Sequence, residues 1–267
     1  MIGESRLRAP STSRRPVEPM RHDADDASMA GVDVNRGAKR AREARAALGL
    51  DPAAPLACLL SVVEEDARLP VVVCAMPDGV AGACFRTDTG AVLWVNGTQW
   101  TPRQRFTLAH ELGHVWCRHD RTVEVDSIAT LSGVTSNPLE IQANAFAAEL
   151  LVPRAGMERV VDGPPTLDEV VVIAAHYGVS TIVVVHRLAQ LGLATERHVA
   201  RLREEVEDRL HHEAFRRLGC TPLGDRLGAA QLPYLSPALS GTQLDAALRG
   251  DAAVDAAFAA SLRRLLA

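Results

Sequence analysis

Aromatic residues are scarce in this 267-residue sequence, only 4% of the total, so its core must be built mostly from Ala, Val and Leu. Long apolar runs are missing as well. The nearest approach, 170–194, is interrupted by His176, Tyr177, Gly178, Ser180, His186 and Arg187, which argues against a membrane span. The N-terminus carries Arg residues without an apolar stretch beside them, so no secretory signal is expected. The five cysteines (Cys58, Cys74, Cys84, Cys117, Cys220) are odd in number and contain no CxxC pair. They read as reduced packing residues of a cytoplasmic protein. A net charge of −4 makes no case for global nucleic-acid binding. With 47% hydrophobic residues, the chain can bury a substantial core, as one large domain or two small ones.

Residues 1–34 mix Arg, Pro, Ser and Asp without helix or strand period and are expected to be a disordered tail. From Asn35 to Leu50 the apolar spacing turns helical and closes at Gly49. Ala54 to Ala67 predicts a second helix. Composition then switches to short β-rich runs at Pro70–Ala75, Val80–Arg86 and Ala91–Val95. Thr87-Asp88-Thr89-Gly90 reads as a hairpin turn between the last two. The three predict a small antiparallel sheet. Thr101-Pro102 supplies an N-cap and a proline at the first helical position for the helix that follows.

That helix holds Phe106-Thr107-Leu108-Ala109-His110-Glu111-Leu112-Gly113-His114-Val115-Trp116, an HExxH motif. Residues four apart share a helix face, so His110 and His114 can aim their imidazoles at one point. Two imidazoles at that spacing suit Zn²⁺. Glu111, about 100° further round, can reach a metal-bound water without ligating the metal. Phe106, Ala109, Leu112, Gly113 and Trp116 give the helix a buried side.

A third ligand can come from nearby or from a distance. The local route, HExxHxxGxxH or its Asp-ending variant, would use Asp120, but Cys117 stands where that turn needs glycine. His119 is five residues past His114 and is expected to face away from the pair. The distant route is the strong helix 137–153, capped by Asn137 and bounded by prolines. There Glu140 can supply the ligand and Asn144, one turn on, a hydrogen bond orienting an imidazole. Glu140 also stands at the position of a capping-box glutamate for Asn137, and spacing alone does not separate the two roles. Glu149 is the fallback ligand.

The run 105–114, together with Glu140-x-Gln142-Ala143-Asn144-x-Phe146-Ala147-Ala148-x-Leu150-Leu151-x-Pro153, resembles the ImmA/IrrE family of metallopeptidases. The flanking strands and Tyr177-Gly178-Val179-Ser180 with Leu191-Gly192-Leu193 fit it too, so the resemblance spans roughly 36–195. It implies an α+β, mainly helical, zincin-like unit over 35–195, with His110, His114 and Glu140 on Zn²⁺ (Mn²⁺ as the alternative), Asn144 behind them and Glu111 as catalytic base. It also implies an endopeptidase whose substrate is a helix-turn-helix repressor, cut to release a stress, mobile-element or toxin–antitoxin operon. The competing reading is a non-catalytic, metal-stabilised regulatory module that binds protein or DNA.

Within 166–193, Thr166 caps one helix, Gly178 turns the chain and Ser180 caps a second, which is helix-turn-helix spacing. The exposed start of a DNA-recognition helix wants basic and amide side chains. Ser180, Thr181, Ile182 and Val183 stand there instead, favouring a structural pair over DNA binding. His176, Tyr177 and His186 are candidates for stabilising an oxyanion. Thr195 to Leu218 predicts one long charged helix, with the adjacent His211 and His212 in solvent. In the helical extension 196–267, helices are expected at Thr242–Leu248 and Ala252–Leu266, a possible homodimer surface.

Overall fold

The computed structural model describes residues 23–87, 90–119, 123–127, 135–221, 225–229 and 233–239. Asp120, the tail before residue 23 and the helices expected at 242–248 and 252–266 lie outside them. The described chain is α+β and mainly helical. Helix α1 (Asp23–Ala47) starts well before Asn35, so residues 23–34, expected to be disordered, are helical. It closes at Gly49, whose positive φ of 66° suits a residue without Cβ. The second helix is shorter than expected. Asp51 holds the amides of Ala53 and Ala54 in a turn, at 2.7 and 2.8 Å, and only then does α2 (Leu59–Ser61) form, widening into a π-turn at Val62–Asp66.

Five strands form one mixed sheet in the order β4-β2-β3-β1-β5: β1 (Val71–Cys74), β2 (Val80–Thr87), β3 (Gly90–Asn96), β4 (Val123–Ser127) and β5 (Tyr234–Leu235). β2 and β3 pair antiparallel from Gly82↔Val95 to Thr87↔Gly90, as the hairpin signal predicts. The sheet is not antiparallel throughout, however. The chain reverses between β1 and β2, and β3 returns into the gap between them, which makes it parallel to β1 with Val71 opposite Leu93. β3 is therefore interior. Alternation splits its side chains between two cores: Leu93 and Val95 face the main one, while Val92 and Trp94 join Val72, Cys74, Ala83 and Phe85 on the other face.

Helix α3 (Thr101–Trp116) follows β3 directly. Trp100 rather than Thr101 is its N-cap, with Pro102 in the first turn. From Gln104 to His114 every residue is buried, because the sheet covers one side and α4 (Pro138–Leu151) the other. The crossing of α3 and α4 is close at Gly113, where a Cβ would lie 3.1 Å from Phe146 Cδ1 and 3.2 Å from Ala143 Cα. α1 lies along α4. Buried arginines tie the layers together. Arg45 donates to the Leu150 carbonyl at 2.7 Å, and Arg105, fully buried, pairs with Asp225 and donates to the Leu56 carbonyl at 2.9 Å.

After α5 (Arg154–Val160) come α6 (Leu167–Tyr177) and α7 (Thr181–Leu191). Thr166 and Glu169 form a reciprocal capping box, Gly178 turns left-handed at φ 64°, and Ser180 caps α7 through the Val183 amide. No single described helix is long and apolar enough to cross a membrane, and this pair is bent by 104°. The long helix expected from Thr195 is broken into α8 (Glu196–Glu207) and α9 (Leu210–Leu218) by Arg209, whose φ is +62°. The break folds α9 back onto α6, where Arg217 pairs with Asp168 at 2.5 Å. A short α10 (Arg226–Ala229) returns the chain to α2 and α3.

Candidate metal centre

His110 and His114 stand one turn apart on α3 with their Nε2 atoms 2.9 Å from each other. Glu140, in the first turn of α4, places Oε2 3.2 Å from His110 Nε2 and 3.6 Å from His114 Nε2. All three residues are buried, and a donor atom from each lies within 4.8 Å of the others. A tetrahedral ion with bonds of about 2.0–2.1 Å keeps its donors about 3.3 Å apart. The three observed separations bracket that value, so two imidazoles and a carboxylate here fit a divalent ion. Burial opposes ionisation of Glu140, but hydrogen bonds to His110 and His114 outweigh it and hold the carboxyl well below the usual carboxylate range. Glu140 thus turns toward the imidazoles, while Asn137 caps the helix alone, accepting from the Leu139 amide at 3.1 Å.

Each imidazole is also held from behind. Asn144 Oδ1 lies 2.9 Å from His110 Nδ1, so the carboxamide accepts from the ring nitrogen that faces away from the ligand point. His114 has a partner the sequence reading missed. His119 was expected to point away. Instead its Nδ1 lies 2.9 Å from His114 Nδ1. The cause is Arg118, which adopts a left-handed φ of 58° and ends α3. The His119 amide then donates to the His114 carbonyl and the Arg118 amide to Val115, both at 3.1 Å, which is the Schellman arrangement. The turn brings His119 back over the helix end. Burial, followed by the neighbouring His114, pushes the His119 pKa down to about 4. Its Nε2 reaches Gln142 Oε1 at 3.4 Å, and Gln142 Nε2 donates to Asp33 of α1 at 2.7 Å.

Glu111 is fully buried between α3 and β2. Gly82 makes the space: a Cβ there would lie 2.6 Å from Glu111 Oε1 and 2.5 Å from Thr107 Cγ2. Arg86, also on β2, donates to the His114 carbonyl at 2.9 Å, a cation set at the helix C-terminus. Gly82, Arg86, His119 and Asp33 carry no motif signal, and Gln142 stands in the second motif with no role that spacing assigns to it. Only the fold brings them to the site.

The other candidates are elsewhere. Glu149 forms a buried ion pair with Arg187 and accepts from the Arg154 amide at 3.3 Å. Tyr177 donates its hydroxyl to the Ala53 carbonyl at 3.2 Å, and His176 borders a separate surface depression. His186 lines a cleft of about 480 Å³ between the start of α3, α4 and α7, with Trp100, Phe106, Ile141, Asn144 and Ile182. Asn144 is the link between this cleft and the His110 imidazole. Ser180, Ile182 and Val183, at the start of α7, also line it, and Thr181 is buried.

Comparison with curated proteins returns no match. Residues 67–189 match a family described as Peptidase_M78, IrrE N-terminal-like domain. The matched segment contains the whole sheet except β5, the HExxH helix and the Glu140 helix. Through these residues the chain is similar to the IrrE N-terminal-like peptidase domain, which supports a metallopeptidase-type function.

Proposed function

We propose that the protein is a zinc-dependent endopeptidase of the cytoplasm, with His110, His114 and Glu140 as metal ligands, Glu111 as catalytic base and Asn144 as the residue orienting His110. The observation that carries this reading is the convergence of the three donor atoms within 4.8 Å beside a buried glutamate. Neutral imidazoles with one carboxylate suit Zn²⁺, and Mn²⁺ is the alternative. When bound, the ion supplies a Lewis acid that polarises a peptide carbonyl and acidifies water. Glu111 takes the proton from the attacking water and passes it to the leaving amine. Burial of Glu111 keeps bulk water from competing for that proton.

By analogy with related fold classes the strand Ala91–Val95 could hold an extended substrate by edge pairing, but β3 has neighbours on both sides and cannot add a substrate strand. Among the described residues β4 pairs only with β2, so an extended substrate would lie along β4. The resemblance to the family supports, as the proposed substrate class, a helix-turn-helix repressor, cleaved to release a stress, mobile-element or toxin–antitoxin operon. Five cysteines with no disulfide among them support a reducing compartment.

The test is Glu111→Gln in the full chain, co-expressed with a repressor encoded beside it. The variant should keep its metal and leave the repressor intact, while wild type yields fragments. Equal cleavage by both would sink the mechanism. Derepression by both without fragments would favour the non-catalytic module.

A further inference from the structure

α1 lies outside the family-matched segment, yet one of its side chains closes a hydrogen-bond chain that begins at a metal-ligand imidazole. The chain runs from His114 Nδ1 to His119 Nδ1 (2.9 Å), from His119 Nε2 to Gln142 Oε1 (3.4 Å) and from Gln142 Nε2 to Asp33 Oδ1 (2.7 Å). Its direction is fixed at the far end. An ionised carboxylate only accepts, so the Gln142 amide group donates to it and turns its carbonyl oxygen toward His119. That oxygen also only accepts, so His119 carries its proton on Nε2 and offers a lone pair at Nδ1. His114 must then carry its proton on Nδ1, which leaves the Nε2 lone pair facing His110 and Glu140.

A second, independent feature holds the two helices in register. Gly37 of α1 lies so close to α4 that a Cβ would sit 2.1 Å from the Gln142 carbonyl oxygen and 3.0 Å from Ala145 Cβ. The absent side chain lets α1 approach α4 beside the residue that relays the hydrogen bond. Asp33, His119 and Gln142 are all buried, at 6, 5 and 5% exposure, so water does not compete strongly for these bonds.

We infer that Asp33, Gln142 and His119 are positioning residues that fix His114 in its metal-binding tautomer, and that α1 is thereby a working part of the metal centre. This rests on the metal-centre reading above. Loss of a partner behind a ligand imidazole typically weakens metal binding by about 10- to 100-fold.

The experiment is zinc affinity of the full chain by competition with a chromophoric chelator, paired with ¹⁵N NMR of the His114 ring in metal-free protein. Wild type should show His114 protonated at Nδ1. His119→Ala and Gln142→Leu should each lose about 10- to 100-fold in affinity and give a mixed tautomer signal. Asp33→Leu should weaken binding in the same direction, while Asp33→Asn, whose carbonyl oxygen still accepts from Gln142, should stay near wild type. That rescue separates positioning from a general loss of fold, which circular dichroism of each variant monitors. Tight zinc binding by wild type and by all four variants alike would overturn this inference alone, as would His114 protonated at Nε2 in wild type. No zinc binding by wild type would sink the metal-centre reading and this inference with it.

Discussion

Gly82 and Glu111 occupy complementary space: the backbone of β2 comes so near the Glu111 carboxylate that a single added carbon would sit 2.6 Å from Oε1. A proton-transfer group works only within a narrow range of distance, and a displacement of about 1 Å can cost on the order of 100-fold in rate. Gly82→Ala should therefore lower kcat by about 10- to 100-fold while metal content stays at the wild-type level. Peptidase assays beside elemental analysis decide it, and unchanged turnover would mean that the carboxylate is not held from this side.

Arg118 carries a left-handed backbone, a conformation that costs an ordinary residue about 1–2 kcal/mol. Arg118→Gly should raise stability by up to about 1 kcal/mol, because glycine meets no such penalty. Arg118→Val should lower stability and, by disturbing the turn that returns His119, weaken zinc binding. Urea denaturation of the three proteins gives the order.

Glu149→Gln should leave metal stoichiometry unchanged, since Glu149 belongs to Arg187 rather than to the imidazoles. It should also cost about 3–5 kcal/mol, the usual result of stranding one half of a buried ion pair. A variant that folds normally but loses its metal would reverse the assignment of the third ligand.

Burial pushes the Cys74 and Cys117 thiols up to about 11, from an ordinary 9.0. Below pH 9 these thiols are protonated in both folded and unfolded chains. Between pH 9 and 11 the unfolded chain releases protons that the folded one retains, so stability should fall as pH rises through that window. Urea melts at pH 8, 9.5 and 10.5 test this, and a Cys74→Ala, Cys117→Ala double variant should show a shallower decline.

The sequence announces the parts of this centre that depend on local spacing. The four-residue step from His110 to His114, and the capped helix bearing Glu140 and Asn144, follow from helix periodicity. The close crossing at Gly113 also follows, because glycine is costly inside a helix unless another backbone passes there. What escapes is set by chain reversal. Helical continuation puts His119 on the far side, and one left-handed residue, an arginine where glycine is usual, reverses that placement. The parallel pairing of β1 with β3 escapes for a similar reason: strand alternation says which residues are buried but not which strand lies between which. Gly82 and Arg86 come from β2 and Asp33 from α1, and no periodicity connects them to the motif.

The Arg105–Asp225 pair has a practical consequence for anyone trimming this protein. Asp225 also accepts from the Leu59 amide at 2.7 Å, and β5 adds to the sheet beside β1, so the stretch beyond α9 is stitched into the same interior as the HExxH helix. A fragment ending where the family match ends would strand a guanidinium in an apolar surround, five residues upstream of the first histidine of the HExxH motif, together with an uncovered strand. Inactivity in such a fragment would report a collapsed scaffold and say nothing about its chemistry.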